Sequence, residues 1–357
     1  MSSKIASRRD IFRVGLASLV GSGISKASAQ NAGSAAHDRV VVCVYLMGGN
    51  DANNMLVPLD QYGHYAASRG PLAIPAAQLL NVQNDHSGSA VGFHPAMTKV
   101  HSLFTNGKLA VSANVGSERF ELSRHSAPNL AYFPQGYVTA RWAAQAANSE
   151  VITGFRSQDR GCSLSFSGLG AARRRAEILA RSPLDEQSFR VSFPATTLGR
   201  QLSHAAFLLQ SGVTTGIRQR TFFAIQAGYD THTNQLARQA ALLADLSYAL
   251  AAFHAATEEM GIADNVTTYT DSDFGRTLKP NKRGGSDHGW GSHQFVMGGA
   301  LPGGRVYGTF PELRLRSSHD ATGTGVWRPE ITKEQHAAAV ASWAGAPRVD
   351  NSFFSLS

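Results

Sequence analysis

The chain has 357 residues, 43% of them hydrophobic, with 35 Gly, 13 Pro and two Cys, which suits one large globular domain or two small ones and excludes a low-complexity or repeat protein. Its formal charge of +8 is concentrated at the start: Lys4, Arg8, Arg9, Arg13 and Lys26 stand against Asp10 in residues 1–29, leaving 28 basic and 24 acidic residues beyond. No basic run is interleaved with aromatics, and Arg173, Arg174 and Arg175 read as a solvated helix face, so nucleic acid is excluded as a partner.

Residues 1–29 run from a basic start through a weakly apolar stretch, Val14 to Ile24, to Ala27-Ser28-Ala29, the pattern of a cleaved export signal. The adjacent Arg8 and Arg9, followed by Ile11 and Phe12, point to the twin-arginine export machinery. The apolar stretch is shorter than the roughly 20 residues a bilayer span needs. The expectation is therefore a single domain over 30–357, without a membrane span in the mature chain, periplasmic or secreted. Cys43 lies in an apolar run and reads as a core thiol, although pairing with Cys162 is chemically open in an oxidising compartment.

Onward from there, strands alternate with helices and polar clusters follow the strands. "RVVVCVYLM" (39–47) is a β-branched run that breaks into "GGNDANN", and "KLAVSANVG" (108–116) breaks into "SERFELSRHSAPN". Helical spacing of Leu198, Leu202, Ala205 and Leu209 predicts a helix over 196–212. "RTFFAIQ" (220–226) is a strand breaking into "AGYDTHTNQ"; a long helix over 235–260 ends at Gly261; "NVTTYT" (265–270) breaks into "DSDFGRT". The stretch "GSDHGWGSH" (285–293) reads as a loop with no helix or strand of its own. This order predicts a mostly parallel sheet with helices on both faces, a three-layer α/β/α sandwich.

Ligands of such sheets bind beyond the carboxyl ends of the strands. Asp51, Asp230 and Asp273 each follow a different strand, His232 stands beside one, and Asp287 and His288 lie just downstream of another. Like charges gathered in one cleft repel unless a cation or proton intervenes, so these six are candidate metal ligands. Mixed imidazole and carboxylate donors suit zinc, manganese or iron, whereas oxygen alone would suit calcium or magnesium. Asn50-Asp51 reads equally as turn and cap chemistry, and "SDFGR" as a cap paired with Arg276.

The segments "VYLMGGNDANNMLVP", "GFHPAM", "LAVSANVGS", "GYDTHTNQ" and "DSDFGRTLKPNKRGGSDHGWGSHQFVMGGALPGGRVYG" behind a twin-arginine signal resemble the exported bacterial family DUF1501, most strongly over about 196–311. That family is grouped with the alkaline phosphatase and sulfatase superfamily. The resemblance implies an alkaline-phosphatase-like fold, a divalent metal (zinc, manganese or calcium), and a small-molecule or glycan ester substrate of phosphate or sulfate type. By the same resemblance Asp51, Asp230 and His232 fall in the metal cradle, with Asp273, Asp287 and His288 completing it. The superfamily's nucleophile falls in "LSRHSAPN", where Ser126 or Ser123 is the candidate; Arg276 or Arg124 would hold the anionic group as a fork of donors. Asn50, Arg124, His125 and His293 are candidate substrate contacts. Two departures stand out. The order Ser123-Arg124-His125-Ser126 replaces the family's usual Arg-Ser-His, and residues 134–195 match poorly. They make a second expectation worth carrying: an exported binding or envelope-assembly protein that keeps the fold and part of the metal site but has lost the chemistry. A heme or quinone oxidoreductase is disfavoured, because neither CxxCH nor a dinucleotide glycine fingerprint occurs.

Overall fold

The computed structural model describes residues 39–83, 90–116, 189–213, 220–299 and 301–343. In chain order the elements are β1 (Val40–Met47), α1 (Ala52–Met55), β2 (Leu56–Pro58), α2 (Tyr62–Arg69), β3 (Leu80–Val82), β4 (Val91–Phe93), α3 (Thr98–Thr105), β5 (Leu109–Gly116), α4 (Thr197–Val213), β6 (Arg220–Ala227) and α5 (Gln235–Glu259). They continue with β7 (Val266–Ser272), β8 (Gly275–Pro280), β9 (Ser286–Gly289), β10 (Ser292–Gly298), β11 (Val306–Tyr307), β12 (Ile331–Thr332) and α6 (Lys333–Trp343).

The central sheet has the order β11-β5-β10-β7-β1-β6, with β12 also paired to β5. The strand β1 runs parallel to both β6 and β7, with Met47 opposite Ala227 and Leu46 opposite Ser272. Only β10 is reversed, antiparallel to β5 and β7, while β11 and β12 run parallel to β5. The sheet is thus mostly parallel, as expected, and the register brings the carboxyl ends of β1, β6 and β7 to one edge.

Alternation along β1 decides what each face packs against. Val40, Val42, Val44 and Leu46 join the large core formed with Leu198, Leu202, Leu243, Leu250 and Phe253 of α4 and α5 and with Val100 and Phe104 of α3. Val41 and Cys43 point the other way, to a smaller cluster with Tyr269, Val296 and Val340 of α6. The Nζ of Lys333 fastens α6 to the end of β7 through the carbonyls of Ser272 and Asp273 and a 3.3 Å ion pair with Asp271. Cys43 is a buried free thiol; Cys162, like residues 1–29, lies outside the described residues.

The Ala- and Leu-rich α5 contains neither Gly nor Pro and runs for 25 residues. It ends at Gly261 (φ +69°), where the amides of Gly261 and Ile262 donate back to the carbonyls of Glu258 and Thr257, the pairing that closes a helix on a left-handed residue. By length and composition α5 is apolar enough to cross a membrane, yet 56% of its most apolar window is buried inside this fold.

One local expectation is corrected. The stretch 285–293 is not a free loop: Ser286–Gly289 is a strand hydrogen-bonded to β8, and Ser292 and His293 begin β10. Its glycines hide the pattern because period-2 alternation is hard to read where three of nine positions, Gly285, Gly289 and Gly291, lack a side chain. The hairpin is held by a third cluster, in which Leu278 of β8 packs with Val57, Tyr65, Leu313 and Trp327.

Candidate functional site

Three loops meet at the strand edge. The one after β1 turns through Gly48 and Gly49, both at positive φ (+114° and +84°). Side chains are excluded there twice over: a methyl group on Gly48 would strike the backbone of Asp230, and one on Gly49 would strike the Phe274 ring. Backbone and ring therefore approach closely, and this packs the β1, β6 and β7 loops into one body.

At the centre Asp230 Oδ1 lies 3.0 Å from His232 Nε2 and 3.2 Å from His288 Nε2, while the two imidazole nitrogens are 3.0 Å apart. Among the described residues these three form the group whose ligand atoms lie close enough together to hold a metal ion. His288 is packed between rings, with Phe274 4.0 Å away by centroid and His232 4.9 Å away. The other nitrogen of His232, Nδ1, is buried and 3.3 Å from Asp287 Oδ1, close enough for an ion pair but not aligned as a hydrogen bond.

Electrostatics favour donor character. Partial burial on its own would raise the Asp230 carboxyl, but hydrogen bonds from Arg276 and His288 and the charge of Arg276 outweigh it and hold the group below the usual carboxylate range. Burial lowers the His288 imidazole despite the opposing pull of Asp230, which favours its neutral form near pH 7.

Donor chemistry and spacing both fit a cation. Cis ligands at about 2.0–2.1 Å from one ion sit roughly 2.9–3.4 Å apart, and the three donor atoms here are separated by 3.0, 3.0 and 3.2 Å. Calcium prefers all-oxygen cages with bonds of about 2.3–2.6 Å, a poorer match to two imidazoles.

The other sequence-predicted residues are placed differently. Asp51 is fully buried, and its Oδ2 accepts from Arg69 Nη2 and Gln235 Nε2, while Oδ1 takes no hydrogen bond from the described residues. Arg69 also donates to Asn54 Oδ1 at 2.9 Å and to the carbonyls of Thr277 and Leu278 at 2.8 and 2.9 Å. Asp273 is occupied by the Tyr45 hydroxyl and the Gly48 amide. Asn50 accepts from Gln239 at 2.8 Å and is itself wholly buried. His293 is buried in β10, where Nδ1 accepts from the Asn114 amide at 3.1 Å; burial pushes its imidazole down to about 4. Ser123, Arg124, His125 and Ser126 lie outside the described residues.

Arg276 takes a different job from the expected anion fork. Its Nε donates to Gly49 O at 2.8 Å, Nη1 to Ser286 O at 2.7 Å, and Nη2 to Gly48 O at 2.7 Å and Asp230 Oδ1 at 2.6 Å. Four of its five N–H groups are thereby spent inside the protein. It braces three loops and aims Asp230. Asn53 extends the brace, donating to Arg276 O at 2.9 Å and accepting from Trp327 Nε1 at 2.8 Å. Arg69, Asn54, Gln235 and Gln239 escaped sequence reasoning; nothing in "YGHYAASRGP" or at the start of a regular helix marks a partner for a distant carboxylate.

Residues 209–325 match the model of a family described as Protein of unknown function (DUF1501). The matched segment contains Asp230, His232, Arg276, Asp287 and His288, whereas Asp51 and Arg69 lie before it. No curated protein matches the chain. Among solved structures, "Crystal structure of Ps i-CgsB" is 10% identical with a TM-score of 0.42, covering 89% of this chain and 74% of that one. The lipoteichoic acid synthase LtaP from Listeria monocytogenes is 12% identical with a TM-score of 0.35, covering 86% and 76% respectively. Likenesses this slight carry no argument about chemistry; the architecture rests on the sheet order itself.

Proposed function

We propose that the chain is a divalent-metal-dependent hydrolase acting on phosphate or sulfate esters of a small molecule or glycan. The observation that carries the reading is the convergence of Asp230, His232 and His288 at the carboxyl edge of a mostly parallel sheet. Zinc, manganese and iron suit the donor set better than calcium. A bound cation would supply Lewis acidity toward an ester oxygen, of the kind worth several kcal/mol in such sites. The chain's own residues orient that centre: Arg276 fixes Asp230, and Phe274 packs against His288. Ser126 or Ser123 remains the proposed nucleophile, with Arg124 and His125 beside it for the anion. The sequence pattern of residues 1–29 supports twin-arginine export and a periplasmic or secreted place of action.

A second reading, an exported binding or envelope-assembly protein, is favoured by a specific feature: guanidinium groups already sit on two of the predicted ligands, Arg69 on Asp51 and Arg276 on Asp230. Elemental analysis of the purified protein beside Asp230→Ala/His288→Ala separates the two. About one equivalent of transition metal, lost in a variant that stays folded, together with metal-dependent cleavage of aryl phosphates or sulfates, supports the hydrolase. Absence of metal after reconstitution removes that reading and leaves the binding protein.

A further inference from the structure

The two nitrogens of His232 face different carboxylates. Nε2 is 3.0 Å from Asp230 Oδ1 and 3.0 Å from His288 Nε2, while the buried Nδ1 has Asp287 Oδ1 at 3.3 Å. A neutral imidazole carries one proton, and whichever nitrogen bears it cannot offer a lone pair. For Nε2 to serve a cation, the proton must sit on Nδ1, a buried atom that needs an acceptor. Asp287 is the carboxylate within reach.

The placement of Asp287 is built rather than casual. Its amide donates to Thr277 Oγ1 at 3.1 Å across the β8–β9 hairpin. Asn281 Nδ2 lies 3.4 Å from Asp287 Oδ1 and 3.0 Å from the carbonyl of His232, spanning the carboxylate and the residue it faces. The Asn281 side-chain oxygen accepts from the amides of Arg283 and Gly285 at 2.8 and 3.1 Å, so the bridge is anchored in its own turn.

We infer that Asp287 is a positioning residue and not itself a ligand: on cation binding a small rotation of the two side chains, already 3.3 Å apart, lets Asp287 accept the Nδ1–H of His232 and so commits Nε2 to the cation. The inference rests on the metal reading above and refines it. Carboxylates that accept from the far nitrogen of a ligating histidine raise its basicity and fix its orientation, and their loss typically weakens metal affinity about 10- to 100-fold.

The test is Zn2+ affinity, measured by competition with a chromophoric chelator, for the wild type, Asp287→Ala and Asp287→Asn, alongside melting of each metal-free protein. Nitrogen-15 NMR of the Zn2+-loaded wild type reports which ring nitrogen of His232 is protonated. The expected results are a 10- to 100-fold weaker Kd for Asp287→Ala at an unchanged metal-free melting temperature, partial recovery in Asp287→Asn, which keeps an acceptor, and a proton on Nδ1. Wild-type affinity in Asp287→Ala, or a proton on Nε2 in the loaded protein, overturns the inference while leaving the metal site standing. A wild type that binds no Zn2+ overturns the metal reading and this inference together.

Discussion

Arg69→Met gives the sharpest mechanical prediction. Arg69 and Asp51 are both wholly excluded from solvent and paired through Nη2 and Oδ2. Removing one partner of a buried pair strands the other charge, at about 3–5 kcal/mol. The change also removes the hydrogen bonds to Asn54 Oδ1, which keeps the Tyr65 hydroxyl, and to the Thr277 and Leu278 carbonyls, worth about 1 kcal/mol each. Partial relaxation and water entry offset some of that, so the expected loss is about 4–6 kcal/mol, a large part of a typical domain's stability. Asp51→Leu combined with Arg69→Met removes both charges, and it should recover at least about 2 kcal/mol relative to Arg69→Met alone. Urea unfolding followed by circular dichroism, with midpoints compared at equal slope, measures both. A loss below about 1 kcal/mol for Arg69→Met, or additive single and double variants, would refute the view of Asp51 as the anchor of a buried pair.

Three further outcomes follow from the same geometry. Asp51→Asn should leave metal content unchanged while lowering stability, since Asp51 lies outside the three-donor group; loss of metal would return Asp51 to the ligand set. Gly49→Ala combines a positive φ with a clash against Phe274, and soluble yield or melting temperature should fall sharply; wild-type melting would show that the ring moves aside freely. Burial pushes His94, His293 and His336 down to about 4. The unfolded chain takes up protons near pH 6.5 and the folded one resists until about pH 4, so stability is lost as pH falls through that window. Each group contributes at most about 1.4 kcal/mol per pH unit there. His336→Gln should reduce the acid slope by roughly one group's share, and an unchanged slope argues against its buried neutral state.

How much of the site was legible depended on range. Asp230, His232, Asp287 and His288 stand in polar breaks after apolar runs, and short-range punctuation of that kind is visible in one dimension. The hairpin carrying Asp287 and His288 was hidden because glycine gives neither propensity nor alternation to read. The partners of Asp51 were hidden for a different reason: Arg69 is 18 positions away and Gln235 is 184 away, and no local pattern encodes such a meeting.

The sequence by itself determined the order β1, β5, α4, β6, α5 and β7, because β-branched runs and Ala/Leu periodicity act on neighbouring residues. It also determined which carboxylates end at one sheet edge, because parallel crossovers return β1, β6 and β7 in the same direction. Only the tertiary structure decided which of those carboxylates are taken by guanidinium groups and which face the imidazoles. That choice rests on buried charge, whose cost depends on what lies within a few ångströms in space rather than on what comes next along the chain.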